Sequence, residues 1–371
     1  MSARANAPPG CQKPGGAPDP VRLKPWVELF PASDGDVYVL RGGARSELVI
    51  RRPSDDDRAV LAALGHGLVP ATPELAATVA QLRGAGLVED IDPLELELLS
   101  PSERIRFDRQ LPYFADRVPA GGGHAEQARL RAATVLVLGC GGLGCWTAAA
   151  LACAGVGRFV LVDPDVVELS NLNRQVLFGE ADLGRLKVDA AAARLQGLDA
   201  SIECVRVASA VASVEDVMAV LGHRADVVVE AADTPPHRLA RWVDAACLEL
   251  GVPHISAAQA PPLLRVGPLM VPGETACYSC QERAARRDHP LYDELVEFRM
   301  AVRAPATTLG PASGIVGAAM AMDVVHLLTG AVPPVTLGRA LLIDIVTGEQ
   351  RLEPVPRDPG CPACSGAVVR R

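Results

Sequence analysis

Val135-Leu136-Val137-Leu138-Gly139-Cys140-Gly141-Gly142-Leu143-Gly144 decides the fold of this 371-residue chain. Its four leading apolar residues predict a buried strand, and the glycines after them spell G-x-G-x-x-G where a helix, Leu143–Ala154, is expected to begin. Glycine lets backbone N–H groups approach a phosphate there, and the helix N-terminus adds favourable partial positive charge. A second predicted strand, Phe159–Val162, ends in Asp163, where a carboxylate can accept a hydrogen bond from a ribose hydroxyl. Taken alone, such a loop most often means NAD or FAD.

Outward from this loop the pattern repeats. Ile202–Val207 and Val227–Glu230 read as strands, and Leu186–Leu195 and His237–Leu250 as helices. That alternation predicts an α/β domain, a Rossmann-like parallel sheet with helices on both faces. After Gly251 come short strands, a charged segment (Gln281–Ala306) and an apolar helix (Ser313–Leu328), so the sheet is expected to become mixed. Hydrophobic residues make up 49% of the chain and aromatics 4%, which suits thin, closely packed layers. The net charge of −8 argues against a nucleic-acid partner. No run approaches the ~20 apolar residues that cross a bilayer, and no signal pattern opens the chain. A cytoplasmic protein without a membrane partner is expected.

The segment after the second strand changes the ligand. It reads Asp163-Pro-Asp165-Val-Val-Glu-Leu-Ser-Asn171-Leu-Asn173-Arg174-Gln175, with Lys187 thirteen residues beyond Arg174. A triphosphate carries about four negative charges and needs several cations and a metal. Arg174, Lys187 and Arg109 can supply the cations. Asp233, just past the strand Val227–Glu230, lies at the carboxyl edge where open α/β sheets bind ligands and is a natural Mg²⁺ ligand.

Cys277-Tyr-Ser-Cys280 and Cys361-Pro-Ala-Cys364 form two C-x-x-C pairs. Four thiolates from two such knuckles suit tetrahedral Zn²⁺, and a redox pair is the competing reading. Of the remaining cysteines, Cys145, Cys153 and Cys247 fall on predicted helices and read as packing residues. Cys140 in the glycine loop reads as a matter of backbone geometry. Cys11 and Cys204 suggest no ligand set, and the histidines form no ligand pair.

Residues 1–20 are rich in Pro, Gly and Ala and read as a disordered tail. Residues 21–95 predict a small α+β domain. Trp26–Phe30, Val37–Leu40 and Leu48–Ile50 read as strands, with turns at Asp34-Gly35 and Gly42-Gly43. Helices follow over Asp55–Leu64, capped by Ser54, and from Thr72-Pro73 to Leu82. The outline is winged-helix-like. Its 8 Lys/Arg against 12 Asp/Glu favour a peptide, added as an extra strand, over DNA. A purely structural cap is the plainer alternative. Residues 96–131 read as a polar, linker-like segment, and 132–371 as the α/β domain with its two cysteine pairs.

From about Arg106 to Gly366 the chain resembles the ThiF/MoeB/HesA family, the bacterial relatives of ubiquitin-activating enzymes. The resemblance rests on Arg106-Phe-Asp-Arg109-Gln, the glycine loop, the Asp163–Gln175 segment, Lys187, Asp233 and both cysteine pairs. It implies that Gly139, Gly141, Gly142, Gly144, Asp165 and Gln175 line the ATP site. Asp163 would hold the ribose, Asn171, Arg174 and Lys187 the phosphates, and Asp233 the magnesium. Arg109 would reach across a homodimer to the partner's ATP, and Cys277, Cys280, Cys361 and Cys364 would hold structural zinc. Arg109, Arg174, Lys187 and Asp233 become the catalytic candidates. The family usually has Asp-Asn at the magnesium position, whereas here Asp233 precedes Thr234. Some relatives carry a nucleophilic cysteine after the first knuckle. Gln281–Pro311 contains none, so a thioester relay on that segment is not expected.

The N-terminal outline is similar to the PqqD-like elements that bind leader peptides, and the layout to MccB-type peptide-adenylating enzymes. The resemblance implies ATP- and Mg²⁺-dependent adenylation of a carboxylate on a ribosomally synthesised precursor peptide. One alternative is activation of the terminal glycine of a ubiquitin-like sulfur carrier. Another is a non-catalytic leader-peptide-binding partner.

Overall fold

The computed structural model describes residues 20–24, 27–41, 46–65, 76–91, 93–118, 122–302 and 307–365. The expected tail apart from its last residue, the Gly42-Gly43 turn and the Thr72-Pro73 helix start lie outside the described residues. The chain divides into two compact units, Met1–Ala125 and Glu126–Arg371.

In the first unit, β2 (Val27–Pro31), β3 (Val37–Arg41) and β4 (Ser46–Ile50) form an antiparallel sheet in the order β2-β3-β4. Helices Asp55–Gly65 and Ala76–Gly84 follow. Ser54 caps the first helix, its hydroxyl accepting from Asp57 N at 3.1 Å while Asp57 Oδ2 accepts from Ser54 N at 3.1 Å. Thr78 donates to the same Asp57 carboxylate, which ties the two helices together. The core is Val27, Val37, Val39, Val60, Leu61, Leu64, Val79 and Leu82. The sequence reading lacks one feature, a separate antiparallel pair of β1 (Val21–Leu23) and β5 (Val88–Asp90). Each strand is three residues long, too short for any periodicity to register.

The second unit is built on one eight-stranded sheet. Its strands are β6 (Thr134–Leu138), β7 (Arg158–Val162), β8 (Glu203–Val207), β9 (Val227–Glu230), β10 (His254–Ala260), β11 (Leu263–Met270), β12 (Arg339–Asp344) and β13 (Gln350–Pro354). Their order is β13-β12-β11-β10-β9-β6-β7-β8, parallel from β10 to β8 and antiparallel from β11 to β13. The chain runs outward from β6 through β7 to β8, then returns to place β9 on the other side of β6. The strand order therefore reverses between β6 and β9, and their carboxyl ends open a crevice.

Val135, Val137 and Val229 are fully buried, as strands covered on both faces require. On one face Leu136, Val160 and Val228 pack against Leu239, Val243 and Cys247 of the helix Arg238–Leu250. Helices Gly142–Ala154 and Gly310–Thr329 pack on each other through glycine: a Cβ on Gly317 would come 2.5 Å from Trp146 Cβ. By length and composition Gly310–Thr329 could cross a membrane. Here Val316, Met320 and Val324 on it are fully buried, and Asp323 accepts from Val335 N and Thr336 N at 2.7 and 2.8 Å.

Two differences from the sequence reading stand out. A helix, Val214–Leu221, lies between β8 and β9, capped by Ser213. The charged segment after Cys280 is largely helical, as Tyr278–Asp288 and Tyr292–Ala301.

Candidate functional site

The glycine loop sits at the strand-order reversal. Gly139 follows β6 with φ +96°, and a Cβ there would meet the backbone of Ala232 at 2.7 Å, so only glycine fits beside the chain leaving β9. A Cβ on Gly144 would come 1.9 Å from Gly139 O. These two glycines shape the loop. Gly141 differs: a Cβ there would meet nothing within 4 Å. It is the N-cap of Gly142–Ala154 and offers no capping side chain, which leaves the helix's first amide groups to a ligand.

Asp163, at the end of β7, is 5% exposed. Its Oδ2 accepts from Cys140 N at 2.6 Å and its Oδ1 from Asp165 N at 2.9 Å. Burial raises the Asp163 carboxyl above its ordinary value, against the pull of Lys187. Lys187 opens the helix Lys187–Leu198, and its Nζ lies 2.8 Å from Asp165 Oδ2. The backbone forces this meeting, because Val167 N donates to Arg185 O and Lys187 N to Asp165 O, each at 2.9 Å.

The turn between them holds Asn171, Arg174 and Gln175. Asn171 is buried and its Oδ1 accepts from Glu168 N at 3.1 Å. Arg174 Nη1 donates to Ser170 O at 2.8 Å and to Asn173 Oδ1 at 3.0 Å. Its stem passes the glycine loop, Cγ lying 3.5 Å from where a Gly142 Cβ would stand. Gln175 Oε1 is buried with no hydrogen-bond partner among the described residues, a cost a bound group could relieve. Asp233 follows β9 by three residues. Its carboxylate is exposed, with Thr234 Oγ1 at 3.2 Å.

The second unit thus gathers the glycines, Asp163, Asp165 and Lys187, with Arg174 against the loop and Asp233 on the chain beside it. Arg109 belongs to the first unit. Its side chain is 96% exposed and its ion pair there is Asp108, at 3.5 Å. The donor set fits a nucleotide triphosphate: amides at a helix start with no side-chain cap, two cations, and carboxylates past the ends of β7 and β9, the strands that flank β6.

Sequence reasoning missed a polar node against this loop. Ser313, fully buried, places Oγ 3.0 Å from the Gly142 Cβ position and donates to Gln259 Oε1 at 3.1 Å. Gln259 Nε2 donates to Thr308 Oγ1 at 2.8 Å. These residues come from β10 and from two places around the start of a later helix, so no spacing could have signalled them.

Cys277, Cys280, Cys361 and Cys364 converge, with all four Sγ within 4.8 Å of one another and the thiols buried. The sulfurs of Cys277–Cys280, Cys277–Cys361 and Cys280–Cys364 stand 3.9, 3.7 and 3.5 Å apart. A tetrahedron of about 2.3 Å Zn–S bonds has edges of about 3.8 Å. The group therefore fits a tetrahedral metal ion. Asp358 N donates to Cys280 Sγ at 3.4 Å, and Arg283 Nε holds the Asp358 carboxylate at 2.7 Å, a second layer of support. Of the other cysteines, Cys140 and Cys145 are buried and desolvation pushes their thiols up, Cys145 to about 12. Cys153, expected in packing, is exposed.

Residues 109–363 match the ThiF family. The bovine adenylyltransferase and sulfurtransferase MOCS3 is 41% identical over 269 residues, 72% of this chain and 54% of that protein, so the chain spans about half its length. The Escherichia coli K12 sulfur carrier protein ThiS adenylyltransferase is 33% identical over 268 residues, 71% of this chain and 96% of that protein. The E. coli MccB structure with ATP shares the fold, with a TM-score of 0.68 at 24% identity over 93% of this chain and 99% of that one. A glycine loop at the sheet's reversal, the Asp163–Lys187 constellation and a family match over more than two thirds of the residues lead to one placement: the chain belongs to the ThiF family.

Proposed function

We propose that this chain is an adenylyltransferase that uses ATP and Mg²⁺ to activate a carboxylate on a ribosomally made peptide. A carboxylate oxygen attacks the α-phosphorus in line, the bond from that phosphorus to the bridging oxygen breaks, and pyrophosphate leaves with the electron pair. The protein contributes position and charge. Lys187 and Arg174 neutralise phosphate charge, Asn171 and the loop amides orient the phosphates, and Asp163 accepts from the ribose. Asp233 holds the magnesium, and the four cysteines hold zinc as a structural ion. Arg109 serves the site of a second copy of the chain in a homodimer.

One observation favours a peptide. The family match opens at residue 109, so nearly all of the unit Met1–Ala125 is additional to it. The fold likeness to MccB covers 93% of this chain, which leaves too few residues over to omit that unit. In the unit, β2 and β4 are the edges of their sheet, where an extended segment can add as a strand. A second reading, activation of a ubiquitin-like sulfur carrier, is favoured by the 33% identity to an enzyme named for that substrate.

Label transfer from ATP marked at the α-phosphorus separates the readings. The substrates are a precursor peptide encoded beside the gene and a carrier ending in Gly-Gly. Adenylyl label on the peptide supports the proposal, and label on the carrier alone supports the second reading. Peptide binding with no label on either would make the chain a non-catalytic leader-binding partner.

A further inference from the structure

Two helices of the second unit meet beside Asp233. Arg238–Leu250 opens directly after Asp233-Thr234-Pro235-Pro236-His237, while Tyr278–Asp288 opens at Cys277 and carries Cys280. Their facing sides are joined at matched spacing. His237 Nδ1 lies 3.4 Å from Tyr278 Oη. One turn further along each helix, Arg241 Nε and Nη2 both donate to Glu282 Oε1, at 2.9 and 2.7 Å, and Nε reaches Oε2 at 3.1 Å.

A phenol keeps its proton at neutral pH, so Tyr278 Oη can donate in the longer bond. Desolvation, with Arg299 and Arg241 nearby, lowers the His237 imidazole, so its neutral ring can accept. Cys280 and Glu282 are the buried residues of Tyr278–Asp288. This helix is therefore held by a thiol cluster and an ion pair rather than by an apolar face. His237 has φ +59° and ψ −36°, a positive-φ conformation that a non-glycine residue keeps only when its surroundings impose it.

We propose that Tyr278 and Glu282 are positioning residues for the Asp233 segment: the helix anchored by the cysteine cluster holds His237 in its positive-φ conformation and so fixes where the Asp233 carboxylate stands. The cysteine cluster is then mechanically coupled to the nucleotide site, with Tyr278 between two of its ligands acting as the link. The inference rests on the reading of Asp233 as the magnesium ligand.

The test is a Mg²⁺ titration of ATP binding to the full chain by calorimetry, with zinc content measured alongside. It compares wild type, Asp233→Asn, Tyr278→Phe and Glu282→Gln. Asp233→Asn should flatten the Mg²⁺ dependence. Tyr278→Phe should raise the Mg²⁺ midpoint about fivefold and Glu282→Gln about tenfold, the sizes of a neutral and a charge-assisted hydrogen bond, with zinc content unchanged. If Asp233→Asn keeps the wild-type midpoint, the metal reading fails and the coupling falls with it. If Asp233→Asn loses the dependence while both other variants keep the wild-type midpoint, the coupling alone is overturned. Should Glu282→Gln lose zinc or fail to fold, Tyr278→Phe, which deletes one oxygen atom, decides the matter alone.

Discussion

Lys187 and Asp165 are joined twice, Nζ to Oδ2 at 2.8 Å through the side chains and N to O at 2.9 Å through the backbone. The ammonium is 8% exposed and the carboxylate 63%, so the pair presents its acid to solvent and holds its base inside. The lysine is thus oriented before any ligand arrives, which is what charge stabilisation at a transferring phosphoryl group requires. Lys187→Met should lower the adenylation rate about 10²- to 10³-fold with the fold intact. Asp165→Asn, which keeps the backbone link, should lose about tenfold. Steady-state rates with far-UV circular dichroism check both.

The glycine loop offers a paired test. Gly144→Ala would drive a Cβ to within 1.9 Å of Gly139 O and should cost about 3 kcal/mol or more of stability. Gly141→Ala meets nothing within 4 Å and should leave the melting temperature unchanged while weakening ATP binding, because the methyl fills the space proposed for phosphate. Thermal melts and nucleotide titration of both variants distinguish a structural glycine from a ligand-facing one.

What was legible in the sequence follows from how each element is made. β6 and the loop after it could be read because four consecutive apolar residues run directly into the spaced glycines Gly139, Gly141 and Gly144. The cysteine pairs could be read because each ligand's partner is three residues away. Helix Tyr278–Asp288 could not, because its buried positions are Cys280 and Glu282 and it has no apolar stripe. Gln259 and Ser313 could not, because 54 residues separate two side chains that meet only after the sheet has formed. Tyr278 and His237 were hidden for the same reason, 41 residues apart in sequence.

Acid should weaken nucleotide binding through Asp163. Burial raises its folded-state value above that of an ordinary aspartate, so the neutral form is favoured in the folded chain. The charged form accordingly costs stability, and that cost is incurred as pH rises through the window just above the ordinary aspartate range. In the proposed role Asp163 accepts from the ribose as the carboxylate, so ATP affinity should fall as pH drops through the same window. Asp163→Asn should bind ATP more weakly and show no change in affinity there. Titrations between pH 4 and 7, with Lys187 intact, check the sign.

Loss of one thiolate should open the C-terminal end of the second unit. Cys361→Ser leaves three ligands for the ion and a buried hydroxyl in its place. It should lose zinc and cost about 4 kcal/mol or more. Chelation of the wild-type chain should give the same melting temperature as Cys361→Ser, measured with metal analysis on the same samples.

Deletion of residues 1–92 should leave ATP binding intact and raise the KM for a leader-bearing peptide sharply. An unchanged KM would assign the first unit a structural role and favour a carrier protein as substrate.

ATP–pyrophosphate exchange tests the central claim most directly. With the precursor peptide or carrier encoded beside the gene, wild type should return labelled pyrophosphate to ATP only in the presence of that acceptor, and Asp233→Asn should abolish the exchange. Full exchange by Asp233→Asn would contradict the metal assignment. The absence of exchange with either acceptor, together with no ATP binding, would contradict adenylation itself.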